Sequence, residues 1–406
     1  MSINKFKNAS LTILTLSALA IFSFSSLYCT KEKSTSIYSF NGNSGATPKG
    51  TMTLVDSMLF GYTSAGGKHK KGVIFKLRND GTDFKVIHDF EEGSSNGTGN
   101  EPHHDAMYYY NDTLYGAALY GGNNNNGVIF RINPDGTGYS PIHVFNGGDS
   151  DGAQPHSGVI AINNVFYGMT AEGGTGKKGT IYRMNTDGSD FSVLYSFTKS
   201  QGHNPHGRLT PGSDGNKLFG ITKTGGTDDL GVIFAFDIID TSYTVLHNFT
   251  KGKHDGLTSE HGYLIRIENL LFGMTHSGGK KEKGIIYSIK EDGSDFKILH
   301  SFEEGEQTVK DGQSPFGSLC YSNGFLYGCT RKGGENDEGT VFRITPGGKY
   351  YEILFSFNVS LSGGYPIDNA VLNKEGNLIY VFGQVGGEFD PSGKKEYGAI
   401  NKIKVD

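Results

Sequence analysis

Residues 158–197 read GVIAINNVFYGMTAEGGTGKKGTIYRMNTDGSDFSVLYSF, and this stretch decides the fold. Residues 158–162 are apolar and end in Asn163-Asn164, a hairpin turn signal. Residues 165–170 form a second apolar run, followed by a glycine loop that closes at Gly179. Residues 180–184 make a third run ending at Asp187-Gly188, and 191–197 a fourth. Four short strands with period-two alternation and tight turns predict one antiparallel blade.

Working outward, the same pattern recurs along the chain. Gly-Gly pairs begin at Gly66, Gly121, Gly173, Gly225, Gly278, Gly333 and Gly386, at intervals of 55, 52, 52, 53, 55 and 53 residues. A period of this size marks a propeller or a solenoid. The last copy stops after its third strand, and the missing piece stands at the other end: Ser36-Ile37-Tyr38-Ser39-Phe40 matches Val193-Leu194-Tyr195-Ser196-Phe197. An N-terminal strand that completes the final blade removes two exposed sheet edges, whereas an open stack needs polar caps that the sequence does not show. The expectation is an all-β chain: one seven-bladed β-propeller over residues 35–406, built of four-stranded antiparallel blades and closed by the N-terminal strand.

Composition sets limits on function. Gly supplies 61 of 406 residues, Trp is absent, and the formal charge of −5 offers no basic field for nucleic acid. Three cysteines are too few for a disulfide framework. At the start, Lys5 and Lys7 precede an uncharged run from Leu11 to Tyr28, which ends at Cys29 and the polar Thr30-Lys31-Glu32-Lys33. This order resembles a bacterial lipoprotein signal, although Leu27 stands two residues before the cysteine and Tyr28 is adjacent to it. Residues 1–28 are expected to be a signal peptide, Cys29 the lipidated residue, and 29–34 a tether. An uncleaved membrane anchor and a plain signal cleaved elsewhere stay open.

The motif Leu-Tyr-Gly-x-Thr-x-x-Gly-Gly-x4-Gly-x-Ile/Val-Phe, with Asp-Gly and a strand ending in Phe after it, resembles the GloVer tandem repeat of bacterial exported proteins. The resemblance covers about residues 36–406 and implies export and a propeller, but no established activity. The seventh copy departs from it, with Ile379-Tyr380-Val381 in place of Leu-Tyr-Gly and a longer loop before Gly398.

Candidate site residues follow from repeated slots. At the start of the first strand, four consecutive blades carry Pro102-His103, Pro155-His156, Pro205-His206 and Glu260-His261, and the other three carry Phe316, Ile367 and Lys49. First strands lie nearest the axis, so His103, His156, His206 and His261 are expected at the channel mouth. Imidazoles there can hold a transition metal or, when protonated, an anion. The competing reading is a packing residue, since Phe fills the same slot, and no metal or cofactor is assigned. Lys70, Lys71, Lys177 and Lys178 in the glycine loops suggest a rim for an acidic glycan, against the plainer reading of solvated loop tips. His88, His143, His247 and His300 share their fourth-strand slot with Tyr38, Tyr195 and Phe355, which reads as aromatic filler. The Asp-Gly segments read as turns rather than calcium loops, and Cys320 and Cys329 as free thiols.

No hydrolase elbow, zinc motif or phosphate loop is present. The expected function is an exported, lipid-anchored binding or scaffold module of the bacterial cell envelope. Its partners are the membrane, through the N-terminal lipid, and a glycan or protein at the His/Lys rim, with no nucleic acid. A polysaccharide-acting enzyme, for which Glu101, Asp105, Asp255 and Glu260 are the nearest acids, and a structural adhesion protein stay open.

Overall fold

The computed structural model describes residues 34–91, 99–102, 105–122, 124–252, 254–303, 311–387 and 397–405. The leader, Cys29 and His103 lie outside the described residues.

Each of the first six blades is built around one pairing across its middle. A glycine of the second strand stands opposite an aromatic of the third: Gly61 and Phe75, Gly116 and Phe130, Gly168 and Tyr182, Gly220 and Phe234, Gly273 and Tyr287, Gly328 and Phe342. The ring lies across the space that a Cβ would take, so only glycine fits. All six rings are fully buried, and burying such a side chain contributes about 1.5–3 kcal/mol. In the seventh blade Val381 faces Asn401 instead. Volume has moved from one strand to the other, which accounts for the loss of the Leu-Tyr-Gly pattern there.

The fourth strand slips by one residue against the third in every blade, leaving an extra residue at Ile37, Ile87, Ile142, Leu194, Leu246, Leu299 and Leu354. These bulges are docking points for the next blade. The turn glycines Gly81, Gly136, Gly293 and Gly348 press on Ile37, Ile87, Leu246 and Leu299 of the blade before. The Asp-Gly segments are turns, as expected. Asp187 Oδ1 accepts from the Ser189 amide and hydroxyl at 2.9 and 2.7 Å, and Asp80 and Asp292 do the same for Thr82 and Ser294.

The ring is a seven-bladed all-β propeller whose only described helical piece is the 3₁₀ turn Lys199–Gln201. Its closure is the one read from the sequence. Ser34–Ser39 pairs antiparallel with Ala399–Lys404, so Ser34 already belongs to the closing strand rather than to the tether. Just beyond it the Phe40 amide donates to the Gly398 carbonyl at 3.0 Å. Its ring, 1% exposed, meets Phe75, Phe84 and Phe382 at centroid distances of 5.2, 6.3 and 6.5 Å. Phe40 thus joins the first and last blades. Phe40→Ala is expected to cost about 3–5 kcal/mol, read as a lower midpoint in urea unfolding; a loss below about 1 kcal/mol would show that this ring does not hold the closure.

Candidate functional site at the axis

The sequence suggests one first strand per blade, but the inner strand is broken in most of them. In the third blade Gly152–Ala153 and Ile160–Ile162 are separate pieces on either side of the Pro-His segment. A non-glycine residue with positive φ stands at the break in all seven blades: Thr47, Glu101, Gln154, Asn204, Thr258, Ser314 and Tyr365, with φ between 46° and 57°. In six of them a proline follows, which has no N–H to give to a ladder. The chain therefore leaves the sheet and carries the next side chain to the axis. The proline also wedges against the glycine that ends the previous blade's loop. A Cβ on Gly127, Gly179, Gly284, Gly339 or Gly398 would stand 2.5–3.1 Å from the Cδ of Pro155, Pro205, Pro315, Pro366 or Pro48.

The structure brings three of the four predicted histidines together. His156 and His206 stack at 3.8 Å with planes 7° apart, and His261 lies 5.1 Å from His206 and 6.1 Å from His156. One nitrogen from each of the three lies within 4.8 Å of the others. His156 and His206 are buried, as is Nδ1 of all three. Phe316 continues the arc 5.7 Å from His261, with the Arg331 guanidinium 5.2 Å over its ring. Burial, aided by the charges of Lys223 and Lys49, pushes His156 down to about 3. Lys223 and Lys49 are the cations that act on His156. Lys70 and Lys177 are exposed in their loops, Lys71 and Lys178 half-buried, and Lys178 acts on His203 in a linking segment.

Below the crown the inner strands close on one another. Gly262 would drive a Cβ into the Gly317 carbonyl at 2.8 Å, and Gly207 meets Gly262 more tightly still. The next layer is a belt of polar bonds from blade to blade. Ser157 Oγ donates to the Gly207 carbonyl at 3.0 Å, the Tyr263 amide to Ser318 Oγ at 2.6 Å, and the Asn369 amide to Thr51 Oγ1 at 3.2 Å. The Gly50 amide donates to Asp368 at 2.6 Å. Asp105, buried, accepts from the Gly158 amide at 3.3 Å and lies 3.8 Å from Arg208.

Past this belt the other mouth opens into a cavity of about 450 Å³, lined by Tyr108, Arg208, Thr210, Tyr263, Arg266 and Cys320. The Arg208 guanidinium lies 4.5 Å over the Tyr263 ring. Although burial opposes its charge, Asp105 and Tyr263 keep it protonated. Burial pushes the Cys320 thiol up to about 12, and Cys329 is buried behind it, so both are free and unreactive thiols.

Sequence reasoning missed what the outer histidines hold. His143, His247 and His300 stack on Phe191, Phe296 and Tyr351 at 3.8–4.0 Å, as filler would. Each also bonds an aspartate: Asp151 at 3.2 Å, Asp255 at 3.0 Å and Asp311 at 3.0 Å. Asp255, considered as an acid for the mouth, instead accepts from the Thr250 and Gly256 amides and fastens the linking segment. The usable signal was an Asp-Gly pair soon after each of these histidines. Glu260 is likewise taken, by Lys223 at 2.7 Å.

The sequence model described as Gloeobacter/Verrucomicrobia repeat matches residues 20–216, 135–309 and 264–405. No curated protein sequence matches the chain. Among solved structures, an oligogalacturonate lyase in complex with manganese is similar in fold, with TM-score 0.58 and 10% identity over 89% of this chain and 91% of that one. So is the extracellular domain of a putative hybrid two-component system from B. thetaiotaomicron, with TM-score 0.54 and 12% identity over 89% and 39%. Prolyl endopeptidases match with TM-score 0.51 and 12% identity over 91% of this chain, which spans about half (51%) of their length. At these identities the likeness is one of fold.

Asp368 gives the belt a pH signature. Burial raises its carboxyl to about 7, against the Gly50 amide and Lys49, which favour the charge. A carboxyl whose folded pKa lies above its unfolded value stabilises most at low pH, and that contribution is lost as pH rises through the folded pKa. From this group stability falls by up to about 1.4 kcal/mol per pH unit between about pH 4 and 7. Asp368→Asn keeps an acceptor for Gly50 and removes that slope, so melting curves from pH 4.5 to 8 should show the variant gaining on the wild type toward pH 8. Parallel curves would mean that Asp368 is ionised in the fold.

Proposed function

This chain belongs to the Gloeobacter/Verrucomicrobia repeat family, and from that premise we propose that it is an exported, lipid-anchored binding module of the cell envelope. It takes its ligand, a glycan or a protein, at the axial mouth on the glycine-loop face. The observation that carries this reading is the convergence of His156, His206 and His261, three polar rings in a slot that Phe316 and Ile367 fill with apolar ones. The Lys5 to Cys29 segment supports export and lipidation. Binding is favoured over hydrolysis because three of the four acids considered for a catalytic pair are already paired: Asp105 with Arg208, Asp255 with His247, Glu260 with Lys223.

The anchor also gives an orientation. Ser34 pairs with Ile403, so the closing strand starts on the side of the Asp-Gly turns. A short lipidated tether then sets that face against the membrane and the histidine mouth outward.

Two measurements test this reading. Labelled palmitate should enter the wild type and be lost in Cys29→Ala, and trypsin on intact cells should cut the exposed loops at Lys70 and Lys177 before the turn at Lys290. On a glycan array and in cross-linking to intact envelopes, capture should fall at least about tenfold in a variant with His156, His206 and His261 all changed to Phe. Labelling independent of Cys29 would remove the anchor; capture unchanged in the triple variant would remove the mouth as the binding end.

A further inference from the structure

We propose that His156, His206 and His261 form a three-imidazole site for a divalent first-row transition ion of the zinc or nickel kind, at the axial mouth. The inference rests on the binding role of that mouth and names what binds there first. Three consecutive blades each supply one ring at the same step of the inner strand, and one nitrogen of each lies within 4.8 Å of the other two. Metal–imidazole bonds of about 2.0–2.1 Å place tetrahedral ligands about 3.3 Å apart. The widest pair must therefore close by no more than about 1.5 Å, a ring rotation rather than a backbone movement.

The donor set also selects the class of ion. Among the described residues the cluster holds imidazoles and no carboxylate, so it lacks the oxygen ligands that magnesium and calcium require, whereas imidazole suits zinc, nickel, copper and iron. An anion is the competing occupant, and it requires protonated rings. Two imidazoles stacked 3.8 Å apart cannot both carry a charge without strong repulsion, and neutral rings are the form that donates a lone pair. The nearest cations are partly compensated: Lys223 is paired with Glu260 at 2.7 Å, and the charge of Glu101 acts on Lys49. The three described imidazoles leave a fourth position of a tetrahedral ion unfilled, where an oxygen of an arriving glycan or peptide carboxylate can coordinate.

The slot itself provides the control. Phe316 occupies it in the sixth blade, so a phenyl ring at His206 keeps the stacking and removes the lone pair. The full chain, untagged and stripped with a chelator, is titrated with zinc, nickel and cobalt(II) ions alone. Binding is read by element analysis after dialysis, by melting temperature and by the cobalt(II) absorption spectrum. The wild type should hold about one ion per chain, melt higher with it and give a four-coordinate cobalt(II) spectrum. His156→Phe, His206→Phe and His261→Phe should each keep the metal-free melting temperature within a few degrees and lower affinity by at least about tenfold.

Absence of ion uptake by the wild type at micromolar free metal would overturn the site, as would wild-type affinity in His206→Phe. So would a His206-dependent stabilisation by sulfate without any metal effect, which would make the mouth an anion site. Because these titrations contain no glycan or partner protein, ion binding without capture leaves the metal site standing and refutes the ligand reading, and capture without ion binding does the reverse.

Discussion

A ring of sheets has one place where no ladder can run: between the innermost strands of neighbouring blades. Those strands approach closely at the axis, and their backbone groups lie inside, away from water. One backbone bond crosses there, from the His261 amide to the Phe316 carbonyl, and a bond involving a side chain crosses all seven junctions. Tyr62 with Asp105 joins the first to the second blade, and Asp105 with the Gly158 amide the second to the third. Ser157 with Gly207 and Thr210 with Leu264 continue the series. Tyr263 with Ser318, Ser318 with Asn369, and Asn369 with Thr51 complete the circle. A buried bond of this kind contributes about 1 kcal/mol when made and costs about 1–3 kcal/mol when one partner is left behind. The belt therefore fixes register as much as it stabilises.

This constraint explains the odd backbone above it. To aim a side chain at a neighbour across the axis, the inner strand must leave its own sheet, which is what the left-handed residue and proline at each break achieve. The seven positive φ values are a standing cost, offset where the proline seats on the glycine of the preceding loop and where outer pairs such as His247 with Asp255 fasten the linking segment. The belt and the closing strand act on the same ring from opposite radii. Phe40 and the Ser34–Ser39 pairing complete the sheets at the rim, while Asn369 and Thr51 complete the belt at the centre.

Much of this was legible because the repeat exposes it. The Gly-Gly period gave the blade count, and the match of Ser36-Ile37-Tyr38-Ser39-Phe40 to the fourth strands gave the closure. Even the irregular seventh copy had a readable cause once Val381 was seen to face Asn401. The belt was not legible: Asn369 and Thr51 are 318 positions apart, and nothing local to a serine, threonine or asparagine says that it bonds a strand of another blade. Asp255 misled for a related reason. Proximity in sequence to the mouth residues suggested an acid there, but its partner His247 lies behind it on an outer strand. The three described histidines share one slot of the repeat. Their meeting depends on azimuth around the axis, which spacing along the chain does not encode.

That meeting is also the part of the molecule that the architecture does not demand. Symmetry delivers seven equivalent slots to the mouth, and Phe316, Ile367 and Lys49 show that the ring closes with apolar or long cationic side chains in them. Contact at the mouth is tightest between adjacent blades, as in the 3.8 Å stack of His156 on His206, and the described histidines occupy three in succession. An apolar ring would stack there with less desolvation than an imidazole whose burial drives it to the neutral form. Placing polar rings where packing alone would prefer phenylalanine is a local conflict with the fold, and such conflicts are expected where a site, rather than the scaffold, has set the residue.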